Sequence, residues 1–200
     1  RYDADWREST YKNYFWMVPY DLQGLIDSIG GKEAAEKRLD EMFRRLDASY
    51  GDEWFASGNE PSFQIPWIYN WAGAPYKAQQ VIRRILNEQY SSRVNGLPGN
   101  DDLGSMGAWY VFASIGLFPE IPGVGGFSVN SPVFRKIVLH LPEGDVIIKG
   151  GDEKKEYIHS LSLDGKKMEG TWIDWSDLYR GATLEYKLSG KPDKTWGTRI

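Results

Sequence analysis

The sequence predicts an α + β chain in two successive parts, helical over residues 1–118 and built of antiparallel strands over 119–200. Three observations predict it. Apolar residues recur at helical spacing through the first half. Beyond about residue 120 the chain breaks into short β-branched and aromatic runs separated by Gly, Pro and Asp-Gly. Helices and strands also come in blocks instead of alternating, which argues for separate layers or domains and not for a parallel α/β sheet. With 200 residues, 41% of them hydrophobic and 26% charged, the chain has the makings of one sizeable core or two small ones.

The helical elements follow from periodicity and caps. In "VPYDLQGLIDSIGG" Pro19 opens a helix, Leu22, Leu25, Ile26 and Ile29 line one face, and Gly30-Gly31 ends it. "KEAAEKRLDEMFRRLDASYG" places Leu39, Met42, Phe43, Leu46 and Tyr50 on one face and charges on the other. A third helix over residues 75–90 carries Ala78, Val81, Ile82, Ile85 and Leu86. The stretch from Asp102 to Leu117 is apolar nearly all round, so a helix buried on every side is expected there. The strand candidates are "GFSVNSP", "FRKIVLHLP", "DVIIKGG", "YIHSLSLDGKKM", "TWIDWSDL" and "ATLEYKLSG", with Asp164-Gly165 as a hairpin turn.

Composition excludes several function classes. Twenty-four basic against 28 acidic residues, with no basic cluster, give no footprint for nucleic acid. The absence of cysteine removes disulfides and thiolate metal sites. No apolar run is long enough for a membrane span, and no signal peptide is present. The first residue is Arg1, which reads as a processed product or a fragment. Nine Trp, twelve Tyr and eight Phe are more than a core of this size needs. Their flat apolar faces and polar edges match sugars, although an aromatic-rich core is the plainer account.

Three acidic clusters sit in loops of the helical half: Glu8 among Trp6, Tyr11, Tyr14 and Trp16; Glu60 in "ASGNEPSFQIPW"; and Asn100-Asp101-Asp102 before the apolar helix. Each has a structural reading. Asn100 or Asp101 suits a helix N-cap, Asp102 suits a first turn, Glu60 before Pro61 suits a cap, and Glu8 can pair with Arg7. Taken together they fit glycoside hydrolysis, which needs one protonated carboxyl for the leaving oxygen and one ionised carboxylate for water or the sugar. Burial among aromatic rings keeps such an acid protonated, while a polar, metal-bound neighbour stays ionised. Carboxylate and amide oxygens without cysteine suit a hard cation such as Ca²⁺, assembled from separate loops because no EF-hand spacing occurs. His140 and His159 both lie among the strands, away from these loops, and "GVGG" at 123–126 has no following helix for a phosphate.

Two stretches carry a resemblance. "GNEPSFQIPWIYNWAGAPYKAQ" and "GLPGNDDLGSMGAWYVFASIGLFPEIPG" are similar to the C-terminal part of glycoside hydrolase family 92, the calcium-dependent exo-acting α-mannosidases known mainly from bacteria. "WREST…YFWMVPYDLQGLIDSIGG" resembles the family's Y-T-E-G…Y-x-W-x-x-P-H-D-x-x-G-L segment. The similarity is weakest in the strands after about residue 135. The resemblance implies an N-terminal β-sandwich joined to an (α/α)₆ barrel, of which this chain holds the last part and an antiparallel, β-sandwich-like region behind it. It implies Glu8 as general acid and Asp102 as general base, with Asp101 in reserve. It further implies Asn59, Glu60 and Asp102 at Ca²⁺, Trp16 and Asp21 at the sugar, and an inverting reaction on α-mannoside glycans.

The family's setting is periplasmic or secreted, and the partner of this chain would be the missing N-terminal part of the same enzyme. Alone, the chain is expected to be inactive and to expose a large apolar patch. Two departures bear on linkage and leaving group: "PYD" puts Tyr20 at a usual His, and "EPSFQ" puts Phe63 and Gln64 at two more. The family's phosphodiester-cleaving members lack the acid, so Glu8 argues against that activity. The alternatives are a non-catalytic sugar-binding or structural module and an exo-glycosidase for another sugar.

Overall fold

The structure is a computed structural model and describes residues 5–198; the opening Asp3 and Ala4 of the first acidic loop lie outside it, as do the last two residues of the strand region. Among the described residues six α-helices come first: α1 Tyr11–Tyr14, α2 Leu22–Ser28, α3 Lys32–Met42, α4 Ile68–Trp71, α5 Pro75–Glu88 and α6 Ser105–Ile115. Helix α2 starts because the Asp21 carboxylate accepts the Gly24 N–H at 2.9 Å. It stops at Gly30 and Gly31, whose φ values of 106° and 91° leave the right-handed helix. Helix α5 buries the five residues its periodicity selects.

Two helices differ from expectation. Helix α3 ends at Met42 instead of running on to Tyr50, which is 49% exposed. The chain doubles back there: the Phe55 N–H bonds the Met42 carbonyl at 3.2 Å, and Asp47 bridges to Ala56. Phe43 packs on Phe55 with ring centroids 4.8 Å apart, so tertiary pairing overrides local helix propensity. Helix α6 begins at Ser105 and is covered on one side only. Met106, Trp109 and Ala113 are buried, while Tyr110 and Val111 are 40% and 55% exposed. Its sequence is apolar all round, but among the described residues the outer face stays largely open, with Tyr90 resting against Tyr110 at a centroid distance of 5.3 Å.

Eight strands follow: β1 Leu117–Phe118, β2 Gly126–Val129, β3 Lys136–Leu141, β4 Gly144–Lys149, β5 Tyr157–Leu163, β6 Lys166–Met168, β7 Trp172–Asp174 and β8 Ala182–Ser189. They form a small sheet β1-β2-β7 and a larger one β3-β4-β8-β5-β6. The expected hairpin turn is present, with φ of 49° at Asp164 and 78° at Gly165. The expectation of purely antiparallel pairing fails at one place, since β4 and β8 run parallel. The chain leaves β4, builds β5 to β7, and returns between β4 and β5; alternation of side chains carries no information on strand direction. His140 lies on the exposed surface, 2.8 Å from Asp145 across the β3–β4 hairpin, and His159 sits near Asp193.

Polar side chains stitch the two halves together. The Gln79 carbonyl oxygen accepts the Ile158 N–H at 2.9 Å, and Arg83 donates to the carbonyls of Asp152, Glu153 and Pro132. Below them Trp67 stacks on Phe118 at 4.0 Å and meets Trp109 edge-on. The most costly group at this seam is Glu120, 2% exposed, whose Oε2 accepts from Trp71 Nε1 and from the Ser128 hydroxyl.

Burial pushes the Glu120 carboxyl up to about 7, above its ordinary 4.5. The native state then binds a proton that the unfolded chain has released, so the contribution is complete below about pH 4.5 and is lost as pH rises through about 7, at a cost of about 3 kcal/mol. Glu120→Gln is expected to flatten this fall. Denaturant unfolding of both proteins at about pH 5 and pH 8 checks it; identical slopes would show that Glu120 ionises freely.

Candidate active site

The acid-bearing loops meet at one end of the helical layer, and hydrogen bonds within and between loops bring them there. Asn13, fully buried on α1, donates to the Trp54 carbonyl and accepts from the Ala56 N–H and the Ser62 hydroxyl. That fixes α1 against the 54–62 loop. The segment before α1 is held from its other side: Trp6 stacks on Tyr14 with centroids 5.2 Å apart, and the Tyr14 hydroxyl donates to the Arg7 carbonyl at 2.7 Å. Asn59, itself buried, closes the gap by donating its amide to the Glu8 carbonyl at 2.6 Å.

The second junction joins Glu60 to the 100–102 loop. The Ser105 hydroxyl donates to Glu60 Oε1 at 2.7 Å and lies 2.9 Å from the Asp101 carbonyl. The N-cap position of α6 falls on Gly104 and not on Asn100 or Asp101, but Asp101 Oδ1 accepts the first-turn Gly107 N–H at 3.0 Å from outside the helix. Asp102, one residue on, presents an exposed carboxylate. What makes this possible is a backbone crossing. A Cβ on Gly58 would lie 2.5 Å from the Pro98 carbonyl oxygen, and one on Gly99 would lie 2.4 Å from the Gly58 oxygen. Only glycine on both strands lets the loops touch. Beside the crossing lies a cleft of about 280 Å³, lined by Tyr50, Asn59 and Asn100 among others.

The backbone is strained at the same place. Among the described residues four non-glycine positions have positive φ; Asp164 belongs to its hairpin, and the other three are Glu8 at 59°, Asp102 at 34° and Leu103 at 61°. Such conformations cost of order 1–3 kcal/mol each and persist where surrounding contacts dictate them.

The expected site residues fare differently. Glu8, Asn59, Glu60 and Asp101 are linked as described. Glu8 is exposed and not enclosed by aromatic rings, because Trp6 and Tyr14 stack on each other. Trp16, expected at the sugar, is 2% exposed and packs edge-on to Phe15 in the core, which leaves no face for a ligand. Asp21 spends its carboxylate on the α2 cap. Among the described residues no group of three or more acidic, His or Cys side chains is placed to hold a metal. The donor chemistry near Asn59 is nevertheless that of a hard cation: its amide nitrogen is taken by Glu8, leaving Oδ1 as acceptor, and the Glu60 carboxylate is adjacent. Asn13, Ser105 and the Gly58–Gly99 crossing were missed from sequence. The repeated Gly-Asn before each acid, at 58–59 and 99–100, was the available signal.

Comparison with known proteins settles the family. The model of the glycosyl hydrolase family 92 catalytic domain matches residues 1–190. The chain belongs to glycosyl hydrolase family 92. It is 32% identical over 201 residues to an uncharacterized secreted glycosidase of Arthroderma benhamiae, covering 96% of this chain and 25% of that protein. The family 92 α-mannosidase BT3965 of Bacteroides thetaiotaomicron superposes with a TM-score of 0.85 at 31% identity, covering 97% of this chain and 28% of that one. The family 92 inverting mannosidase BT2199 of the same organism gives 0.88 at 28% identity, over 100% of this chain and 30% of that one. The family 92 chain thus spans between a quarter and a third of the length of these relatives.

In this family 92 chain Gly58→Ala is expected to force the two acid-bearing loops apart and to lower unfolding free energy by about 1–3 kcal/mol. Gly190→Ala, where an added Cβ meets nothing within 4 Å, is the matched control and should change little. Equal stability of the two variants, by denaturant unfolding, would show that the crossing yields without cost.

Proposed function

We propose that this chain is the acid-bearing part of an inverting, calcium-dependent exo-α-mannosidase acting on α-mannoside glycans. Glu8 is the general acid and Asp102 the general base, with Asp101 the second choice because its carboxylate is engaged by Gly107. The observation that carries this reading is the coincidence of strained backbone at Glu8 and Asp102 with the linked carboxylate loops. The two Bacteroides relatives, an α-mannosidase and an inverting mannosidase, support the sugar and the stereochemistry.

In the reaction Glu8 delivers its proton to the glycosidic oxygen as the bond to the anomeric carbon breaks. Asp102 takes a proton from the water that attacks the opposite face of the sugar, so the configuration inverts. Ser105 holds Glu60 on the base side, and Asn59 holds the Glu8 backbone on the acid side, so each loop is oriented before substrate arrives. Asn59 Oδ1 and Glu60 would hold calcium, which takes six to eight oxygens, so water and groups beyond this chain supply the rest. When bound, calcium supplies a fixed positive charge that orients neighbouring sugar hydroxyls.

The wider architecture is part of the proposal. The open outer face of α6, with Tyr110 and Val111 exposed on it and Leu103 exposed just before it, supports packing of the remaining helices of an (α/α)₆ barrel against it, with residues 119–200 behind. No helix among the described residues is long and apolar enough to cross a membrane, and the secreted fungal relative supports export.

The intact protein is expected to release mannose from an aryl α-mannoside, with the β-anomer appearing first by proton NMR. Glu8→Gln should lower kcat by about 10²- to 10⁴-fold on substrates with a poor leaving group. A chelator should abolish turnover, and added Ca²⁺ should restore it. Undiminished turnover in Glu8→Gln would reject the acid, and no turnover by the intact protein would favour the non-catalytic module.

A further inference from the structure

A second cleft lies at the other end of α6. The helix has eleven residues, about 16 Å of rise. The acid loop Asp101–Asp102 precedes its start, and Glu120 follows its end. The cleft has a volume of about 350 Å³ and is lined by Asn70, Trp71, Val124, Ser128, Thr171 and Trp172 among others. It shares no residue with the acid cluster.

Its two indoles are held in place by specific contacts. Trp172 donates Nε1 to Asp174 at 2.9 Å, and its ring lies so closely over Gly126 that a Cβ there would meet Cζ2 at 2.4 Å. Trp71 donates Nε1 to Glu120, and Ser128, opposite Trp172 in the β2–β7 register, donates to the same carboxyl. Polar capacity is left over. Asn70, 2% exposed, has an unpartnered Oδ1, and among the described residues its side-chain amide is held by a long 3.4 Å contact from Nδ2 to the Val129 carbonyl. Turning that amide into the cleft therefore forfeits little. The second oxygen of Glu120 is also buried without a partner. Buried oxygens of this kind are costly unless something reaches them.

We propose that this cleft is a second sugar site, taking one pyranose unit of a glycan, with Trp172 and Trp71 against its C–H faces and Asn70 and Ser128 against its hydroxyls. Few polar groups on an aromatic wall are the usual composition of a small-ligand pocket, and its size falls in the usual range. The choice of a sugar rests on the carbohydrate-active family; the site itself needs no turnover at Glu8.

The test uses the intact protein carrying Glu8→Gln, titrated with methyl α-mannoside and, separately, with cyclohexanol as an apolar probe of similar girth. The indole N–H signals of Trp71 and Trp172 are followed by NMR. Saturable shifts with the glycoside are expected, together with a sugar stoichiometry one greater than in Val124→Trp. That variant fills the cleft from an exposed position, and it should weaken binding there by about 10-fold or more while leaving mannoside turnover unchanged in the Glu8 background. Trp172→Ala should do the same. Indole signals that ignore the glycoside, that respond to cyclohexanol alone, or that respond equally in Val124→Trp would overturn the proposal. Absence of mannoside turnover by the intact protein with Glu8 in place, the Trp172 response being kept, would instead reject only the hydrolase reading.

Discussion

The arrangement of the candidate active site depends on a contact between two backbones. Gly58 and Gly99 bring their chains to a distance that any side chain would prevent. From that crossing the chain leaves in both loops through an asparagine and then carboxylates: Asn59-Glu60 from one, Asn100-Asp101-Asp102 from the other. Two acidic loops placed together repel each other, and burial would make that worse. Here the hydrogen bonds at the junction all run from neutral donors. Ser105 gives its proton to Glu60, the Gly107 N–H serves Asp101, and Asn59 serves the Glu8 carbonyl. The Glu60 and Asp101 carboxylates are thus oriented by neutral donors and not by a lysine or arginine that would compete with a cation or with substrate.

The same economy explains the strain. A helix start with its own cap residue would normally relax the preceding loop. Helix α6 begins instead after Asp102 and Leu103 in left-handed backbone and Gly104 at φ 85°. Asp101 reaches past all three to cap the helix at Gly107. That leaves Asp102 as the residue of the pair that is pushed outward and unoccupied by the helix. The conformation follows from the cap, and the proposed division between a structural Asp101 and a chemical Asp102 follows from the conformation.

How much of this was legible in the sequence differs by element. Helix α5 was plain, because a 14-residue amphipathic run with Pro75 at its start has few other solutions. The end of α3 was not, because the residues from Phe43 to Tyr50 keep helical spacing and it is the pairing of Met42 with Phe55 that stops them. Helix α6 read as wholly buried because periodicity reports which faces are apolar and not which are covered. Among candidate site residues, the acids stand out in the sequence by type and loop position. Trp16 misled, since a tryptophan near an acid is as well suited to a core as to a sugar. Ser105 and Asn13 were invisible for the opposite reason: their role is set by partners 45 and 49 residues away in sequence.

Glu120 shows where local reading fails altogether. Nothing in "FPEIPG" marks it as buried. The structure seals it between the helical layer and the small sheet, with an indole and a hydroxyl as its donors. A buried carboxyl with two neutral donors and no cation is expensive to ionise, so selection for stability alone would favour an apolar residue there. What Glu120 does in return is fix Trp71 and Ser128 on one wall of the second cleft, opposite the indole that Gly126 makes room for. A polar group kept at such a cost, and spent entirely on aiming two surface-lining side chains, is better accounted for by something those side chains meet than by the packing of the seam.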